Sequence, residues 1–272
     1  MKKWIVVLLV VVVAVGFVAS AQVKKTLQIE GSTTVGPIAD AFAGEFQKMG
    51  ITITVKKTGS SDGAAALIDS RCDIATMSRF MKEGEFKKAV EKGVLPVAHV
   101  VAMDGVCVIV HPSNRVSAIT SEQARKIYTG EYKNWKDLGG ADKPIVVISR
   151  DTSSGTYETF DKLIMNKQKM DSGVEYVNTN PQAQTRVQNT EGAIAYVGLA
   201  FLKGVKTLKV DGVSPSRKTI VSGKYPISRP LFMFTNGYPK LGSPAHAFVT
   251  YHLTERGQDI IEDKIYVPLT IY

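Results

Sequence analysis

The chain has 272 residues and a formal net charge of +9, and it contains two cysteines and four histidines. This length accommodates one large domain or two medium domains with substantial cores. The basic balance suits a protein that collects anions, but the lysine pairs are scattered and carry no interleaved aromatic residues, which argues against a nucleic-acid surface. The histidines do not cluster, so the sequence indicates no metal site and no cofactor.

The first 21 residues are organised like a secretory signal peptide. Lys2 and Lys3 precede an almost wholly apolar stretch at 4–18, and small residues at 19 and 21 mark a cleavage site. We expect a periplasmic protein that is cleaved near Ala21, and loss of the two lysines lowers the formal charge by two. A retained membrane anchor is the alternative, which the shortness of the apolar stretch disfavours.

The two cysteines, Cys72 and Cys107, both lie in segments that are typical of strand beginnings. Export permits a disulfide between them, whereas single cysteines in apolar surroundings are also common as unreactive core residues. The sequence leaves both alternatives open.

From residue 27 to residue 79 the chain repeats one unit, a short strand followed by a small polar loop and a helix. The first helix carries Ile38, Phe42 and Phe46 at four-residue spacing, which gives it one apolar face. The elements predicted for this part are strands at 27–29, 51–55 and 73–77, and helices at about 38–50 and 64–70.

The remainder continues in the same style. Residues 120–123 have the Thr-Ser-Glu-Gln sequence of a capping box, which predicts a helix that runs to Tyr128 and is closed by Gly130. The other predicted elements are strands at 100–110, 144–148, 192–198 and 231–235, and helices at 157–164 and 244–253.

This alternation predicts an α/β fold with a mainly parallel sheet, in which ligands bind beyond the carboxyl ends of the strands. We expect two lobes that are joined by two crossing segments and close around a ligand. The predicted boundaries are 22–112 with 227–272 for the first lobe and 113–226 for the second. A single doubly wound domain would give a similar pattern.

The most informative segment is the Arg-Asp-Thr-Ser-Ser-Gly-Thr sequence at 150–156, between a predicted strand and a predicted helix. Such a turn directs free backbone N–H groups and the positive end of the helix dipole at whatever occupies it. Ser154 and Thr156 add hydroxyl donors, and Arg150 adds a planar guanidinium that matches a tetrahedral oxyanion.

Three further loops share this composition. They are Gly-Ser-Thr-Thr at 31–34, Gly-Ser-Ser-Asp at 59–62 and Ser-Arg at 78–79. Taken singly, each is more typical of a helix cap or a surface turn. All four follow predicted strands, so we expect them to converge on one small oxyanion site.

A phosphate site also needs an acceptor, because hydrogen phosphate carries a proton and sulfate at neutral pH does not. Asp62 is the first candidate, although an acidic residue in the first turn of a helix is equally typical of simple capping. Asp104 and Asp151 are weaker candidates.

Together these motifs resemble the phosphate-binding proteins of bacterial phosphate ABC importers, the Pst type, over nearly the whole chain after residue 26. The resemblance rests on segments 31–34, 59–62, 73–79, 104–110, 127–130 with 134–135, 150–156 and 192–196. It implies a two-lobed periplasmic-binding-protein fold of type II, which encloses dehydrated phosphate without converting it chemically.

The resemblance also implies a permease partner, and we expect a monomer that is not an enzyme. The predicted phosphate-binding residues are Ser32, Thr33, Thr34, Ser60, Asp62, Ser78, Arg79, Arg150, Ser154, Gly155 and Thr156. One position departs from the better-known members, which carry a proton-accepting aspartate where this chain has Arg79. The departure leaves open which residue accepts the phosphate proton.

Two other functions are alternatives to phosphate capture. A secreted phosphatase or serine hydrolase would need a positioned base and usually a Gly-x-Ser-x-Gly elbow, which the sequence lacks. A binding protein for sulfate, molybdate or tungstate would use similar donors, so it stays as an alternative.

Overall fold

The computed structural model describes residues 26–270, so the predicted signal peptide and its cleavage site lie outside the described residues. Within 26–270, no helix combines the length and the apolar character that crossing a membrane requires. The chain alternates between strands and helices over most of this range, which confirms the predicted α/β class.

The strands are β1 (Thr26–Gly31), β2 (Thr52–Lys57), β3 (Ile74–Met77), β4 (Pro96–Val110), β5 (Ala118–Ile119), β6 (Val146–Arg150), β7 (Glu175–Val177), β8 (Ala193–Gly198), β9 (Lys206–Thr207), β10 (Lys209–Val210) and β11 (Ser228–Asn236). The α-helices are α1 (Gly36–Lys48), α2 (Ser60–Ile68), α3 (Glu83–Glu91), α4 (Ser121–Tyr128), α5 (Gly155–Phe160), α6 (Asn180–Gln188), α7 (Arg217–Val221), α8 (Pro244–Thr250) and α9 (Glu255–Asp263). Short 3-10 turns lie at Trp135–Leu138, Leu199–Phe201 and Tyr251–Leu253, and α5 continues into a π-helical turn at Asp161–Met165.

The main sheet has the strand order β2-β1-β3-β11-β4-β8-β6-β7, with β9 paired to β4. Strands β1, β2 and β3 are parallel to one another, and so are β8, β6 and β7. The two groups are joined by β11 and β4, which pair antiparallel with each other and with their outer neighbours. The predicted parallel arrangement therefore describes each half of the sheet, and the antiparallel pair connects the halves.

Separate hydrophobic cores support the two halves. The first is built on α1, whose Phe42 and Phe46 pack edge-on against Phe248. The second contains Trp135 and Tyr196 and lies on the other half of the sheet. A smaller cluster lies between α2, β3 and β11.

Strand β4 contributes to both large cores, since Val101 and Ala102 belong to the first and 106–110 belong to the second. Strand β11 contributes Leu231 to the first core, and Ile227, which directly precedes the strand, belongs to the second. The chain thus passes between the halves along these two strands. The lobe boundaries near 112 and 227 stay predictions.

The sequence patterns predict no helix where α3, α6 and α9 lie. The polar segment 218–230 contains most of α7 and the start of β11. The cysteines are both unpaired and buried, Cys72 in the cluster beside α2 and Cys107 in the second large core. Between the two alternatives, the structure therefore favours unreactive core residues over a disulfide.

Candidate functional site

The four predicted loops lie at the carboxyl ends of strands. Ser32 to Thr34 follow β1, Ser60 begins α2 after β2, and Ser78 directly follows β3. The fourth loop connects Arg150, the last residue of β6, to α5. The buried side chains of this set are Ser32, Thr33, Thr34, Ser60, Ser78, Arg79, Arg150, Ser154 and Thr156.

The loops converge across the boundary between the two halves. Thr34 Oγ1 lies 3.0 Å from Thr156 Oγ1. A Cβ on Gly155 would lie 2.5 Å from Ser60 Oγ and 2.7 Å from Ser78 Oγ, so the fourth loop packs directly on the second and third. Ser60 Oγ in turn accepts a hydrogen bond from the Ser78 backbone N–H at 3.1 Å.

Two of the serines cap the turns that carry the site. Ser32 Oγ accepts from the backbone N–H groups of Thr34 and Val35, and Ser154 Oγ accepts from those of Thr156 and Tyr157. These bonds use the lone pairs of each hydroxyl, so its hydrogen remains available to an acceptor. The caps therefore stiffen the turns and leave hydroxyl donors at the helix starts.

Arg150 is 1% exposed, and its guanidinium is only partly satisfied. Nη2 donates to the Asn178 carbonyl at 2.6 Å and Nε to the Val177 carbonyl at 3.3 Å. Nη1 is buried without a hydrogen-bond partner among the described residues. Burial lowers the pKa of Arg150 to about 10. Because leaving a buried donor unpaired costs about 1–3 kcal/mol, and more for a charged group, an anion that accepts from Nη1 fits this position.

Arg79 differs from the expectation for a ligand. Its two Nη atoms donate to both carboxylate oxygens of Glu85, at 2.7 and 2.8 Å, and also to Ser61 and to the Phe80 carbonyl. Its Nε lies 2.9 Å from Glu158 Oε2, close enough for an ion pair but without hydrogen-bond alignment. The guanidinium thus joins α3 in the first half to α5 in the second.

The three acidic candidates have different surroundings. Asp62 is half-buried in the first turn of α2, with Oδ2 beside Gly59. Asp151 accepts from the backbone and hydroxyl of Ser153 and from Asn178, so it holds the fourth loop in shape. Asp104 is fully buried and paired with Arg229. Burial raises the pKa of Asp104, and the Arg229 charge opposes that rise.

Sequence reasoning missed two buried residues, Asn180 and Arg229. Asn180 Nδ2 donates to Thr33 Oγ1 at 3.0 Å and to Thr34 Oγ1 at 2.9 Å. Its own helix, α6, has a readable start, because Thr179 and Gln182 form a capping box. Arg229 donates to Thr156 Oγ1 at 3.0 Å, and no sequence signal marks it.

The site therefore consists of backbone amides, hydroxyls, one amide side chain and two buried guanidinium groups. Donors of this kind, drawn from both halves of a fold, suit a small multivalent oxyanion whose oxygens must all be paired once it leaves water.

Comparison with known proteins agrees with this chemistry. A family model described as the PBP superfamily domain matches residues 18–256. The phosphate-binding protein PstS of Borreliella burgdorferi is 32% identical over 256 residues, covering 89% of each chain. PstS of Bacillus subtilis is 32% identical over 250 residues, covering 90% of this chain and 81% of that protein.

Solved structures give the same result. A phosphate ABC transporter substrate-binding protein from Clostridium perfringens, crystallised with bound phosphate, is 30% identical, with a TM-score of 0.81. The match covers 90% of this chain and 100% of the Clostridium perfringens chain. These matches confirm the predicted periplasmic-binding-protein fold. The chain therefore belongs to the PBP superfamily and, within it, to the family of PstS phosphate-binding proteins.

Proposed function

We propose that this protein captures inorganic phosphate outside the cytoplasmic membrane and delivers it to the permease of an ABC importer. The observation that carries the proposal is the buried Arg150 Nη1, which has no partner among the described residues and belongs to the same loop as Ser154 and Thr156. A dehydrated oxyanion would satisfy that donor together with the surrounding hydroxyls.

The ligand set that we propose excludes Arg79 and keeps Asp62 as the proton acceptor. We assign phosphate contacts to Ser32, Thr33, Ser60, Ser78, Arg150, Ser154, Gly155 and Thr156, and Thr34 supports Thr156 through the hydrogen bond between their hydroxyls. Asn180 supports the two threonines of the first loop through its amide. Arg79 is assigned to contact between the lobes instead, because its nitrogens already face Glu85, Ser61, Phe80 and Glu158.

The remaining features of the proposal rest on the signal-peptide pattern at 1–21 and on the likeness to the family. The chain is exported with cleavage near Ala21, acts as a monomer in the periplasm, carries no cofactor and catalyses no reaction. Its partners are phosphate and the permease, and not nucleic acid. The relatives named as phosphate-binding proteins and the Clostridium perfringens structure with bound phosphate support this assignment.

The test is retention of labelled phosphate by the purified mature protein, with excess unlabelled sulfate, molybdate or tungstate as competitors. We expect retention to survive each competitor and to disappear with excess unlabelled phosphate. Displacement by sulfate at equal concentration would instead identify a receptor for another oxyanion. Release of phosphate from a phosphate ester would identify an enzyme.

Asp62 is the proposed acceptor for the phosphate proton, and the same assay tests it. Its carboxylate lies in the first turn of α2, beside the loop that carries Ser60. Asp62→Asn should weaken discrimination against sulfate, while Asp259→Asn, at an exposed position on α9, should leave it unchanged. Full discrimination in Asp62→Asn would remove Asp62 from the acceptor role.

A further inference from the structure

We propose that Arg229 is a positioning residue of the binding site. Held by Asp104, it donates to the hydroxyls of Thr34 and Thr156 and thereby leaves the Thr156 hydrogen for the bound oxyanion. This inference rests on the proposed function and extends it to a residue on the strands that join the two halves.

The geometry begins with a cross-strand pair. Arg229 on β11 lies opposite Asp104 on β4 in the antiparallel register. Its Nε and Nη2 both donate to Asp104 Oδ2, at 3.0 and 2.8 Å, and Asp104 Oδ1 accepts from the Leu199 backbone N–H at 3.0 Å. Arg229 is 4% exposed and Asp104 is fully buried, so the pair fixes the guanidinium plane.

The same guanidinium reaches the hydroxyls of both halves. Nη2 has two hydrogens, of which one serves Asp104. The other lies within reach of Thr156 Oγ1 at 3.0 Å and Thr34 Oγ1 at 3.4 Å. Nη1 lies 3.4 Å from the hydroxyl of Thr159 on α5.

Counting hydrogens gives the network a direction. Arginine and the Asn180 amide NH₂ can only donate, so Asn180 and the Nη2 hydrogen that Thr34 shares with Thr156 face the two lone pairs of Thr34 Oγ1. We therefore assign Thr34 as the donor in its 3.0 Å bond to Thr156 Oγ1. Thr156 therefore accepts from both Arg229 and Thr34, and its own hydrogen is left for an acceptor. A phosphate oxygen is that acceptor in the proposed site.

Asp104 keeps the Arg229 guanidinium from binding the anion directly. Its charge balances the guanidinium, and its oxygens are both engaged by N–H donors. Arg229 also lines a groove of about 410 Å³ between the halves, together with Phe80, Thr159 and Phe232. Arg229 thus lies between the groove and the two threonines, and it acts on the ligand through their hydroxyls.

The test is a double-mutant cycle on phosphate affinity. Arg229→Lys keeps the charge beside Asp104 but loses the planar fork that also reaches the threonines. We expect it to weaken phosphate binding about tenfold or more in the wild-type background, and by less than about twofold when Thr156→Val has already removed the hydroxyl. Arg217→Lys, on the exposed surface of α7, is the matched control and should leave phosphate affinity unchanged in both backgrounds.

Affinity is read by calorimetry and by the phosphate-dependent rise of the unfolding temperature, which extends to weak binding. If Arg229→Lys does not fold, the charge-neutral pair Asp104→Asn with Arg229→Gln replaces it in the same cycle, with the same expected losses. An equal loss in both backgrounds, or no loss in the wild-type background, overturns the inference. Failure of the wild-type protein to bind phosphate would overturn the proposed function instead.

Discussion

Thr34 Oγ1 and Thr156 Oγ1 lie 3.0 Å apart although 122 residues separate them in the chain. Thr34 precedes α1 in the first half of the fold, and Thr156 lies in the first turn of α5 in the second half. Their contact is therefore a direct hydrogen bond between the halves, made by two residues that the sequence already marked as ligands.

Thr34→Val should weaken phosphate binding about tenfold or more. Valine keeps the shape of the threonine side chain but lacks its hydroxyl, which leaves the N–H donors of Asn180 and Arg229 without this acceptor. Calorimetric titration with phosphate measures the loss. Thr54→Val, at an exposed position on β2, is the control and should bind like the wild type. Wild-type affinity in Thr34→Val would remove this threonine from the site.

Gly155→Ala should block the approach of the two halves. The added methyl carbon would lie 2.5 Å from Ser60 Oγ and 2.7 Å from Ser78 Oγ, which is too close without a shift of the backbone. We expect a loss of affinity of about tenfold or more and a larger radius of gyration in small-angle scattering with phosphate present.

Gly44→Ala on α1 is the control for that substitution, because a methyl group there meets nothing within 4 Å. It should leave both affinity and scattering unchanged. Equal compaction of Gly155→Ala and the wild type in phosphate would contradict the packing of the fourth loop on Ser60.

Glu158→Gln should weaken the contact between Arg79 and α5. Glu158 forms ion pairs with Arg79, at 2.9 Å, and with Lys82, at 2.8 Å, and its side chain is 20% exposed. We expect a rise of about two- to fivefold in the phosphate dissociation constant at low salt.

Salt identifies the cause of that change. Near 1 M salt, where the screening length is about 3 Å, the difference between Glu158→Gln and the wild type should shrink. Glu175→Gln, in the exposed pair with Arg186, should match the wild type at both salt concentrations. A difference that salt does not alter would point to packing and not to charge.

The free energy of unfolding should fall as the pH is lowered from about 7 to about 5. Burial lowers the pKa of His252 below its usual value, so the unfolded chain takes up a proton in this range before the folded protein does. Its Nδ1–H donates to the Val249 carbonyl at 2.8 Å. Urea unfolding of His252→Gln should show a flatter pH dependence, and an unchanged slope would exclude this histidine as the cause.

Much of the fold was predictable because local patterns and tertiary packing agree. The apolar spacing of Ile38, Phe42 and Phe46 gave α1, and these side chains are all buried. The capping box at 120–123 gave the start of α4, where Thr120 Oγ1 accepts from the Gln123 backbone N–H. Helix α6 was missed because its sequence is mostly polar, and only Ala183 and Val187 provide an apolar face.

The site was predictable where serine, threonine and glycine residues mark a loop at the end of a predicted strand. Ser154, Gly155 and Thr156 are adjacent in sequence, so their joint role could be inferred from composition. Arg229 lies in a polar stretch between two prolines, and its relation to Asp104 depends on the register of β11 against β4. Sequence spacing does not fix the pairing of strands 125 residues apart.

The most direct test of the account is calorimetric titration of Arg150→Ala with phosphate, beside the wild type and Arg256→Ala, which alters an exposed arginine on α9. Arg150 supplies the buried guanidinium whose Nη1 the anion is proposed to satisfy. We predict a loss of about tenfold or more in Arg150→Ala, about 1.4 kcal/mol, and none in Arg256→Ala. Equal phosphate affinity in all three proteins would contradict the assignment of the site.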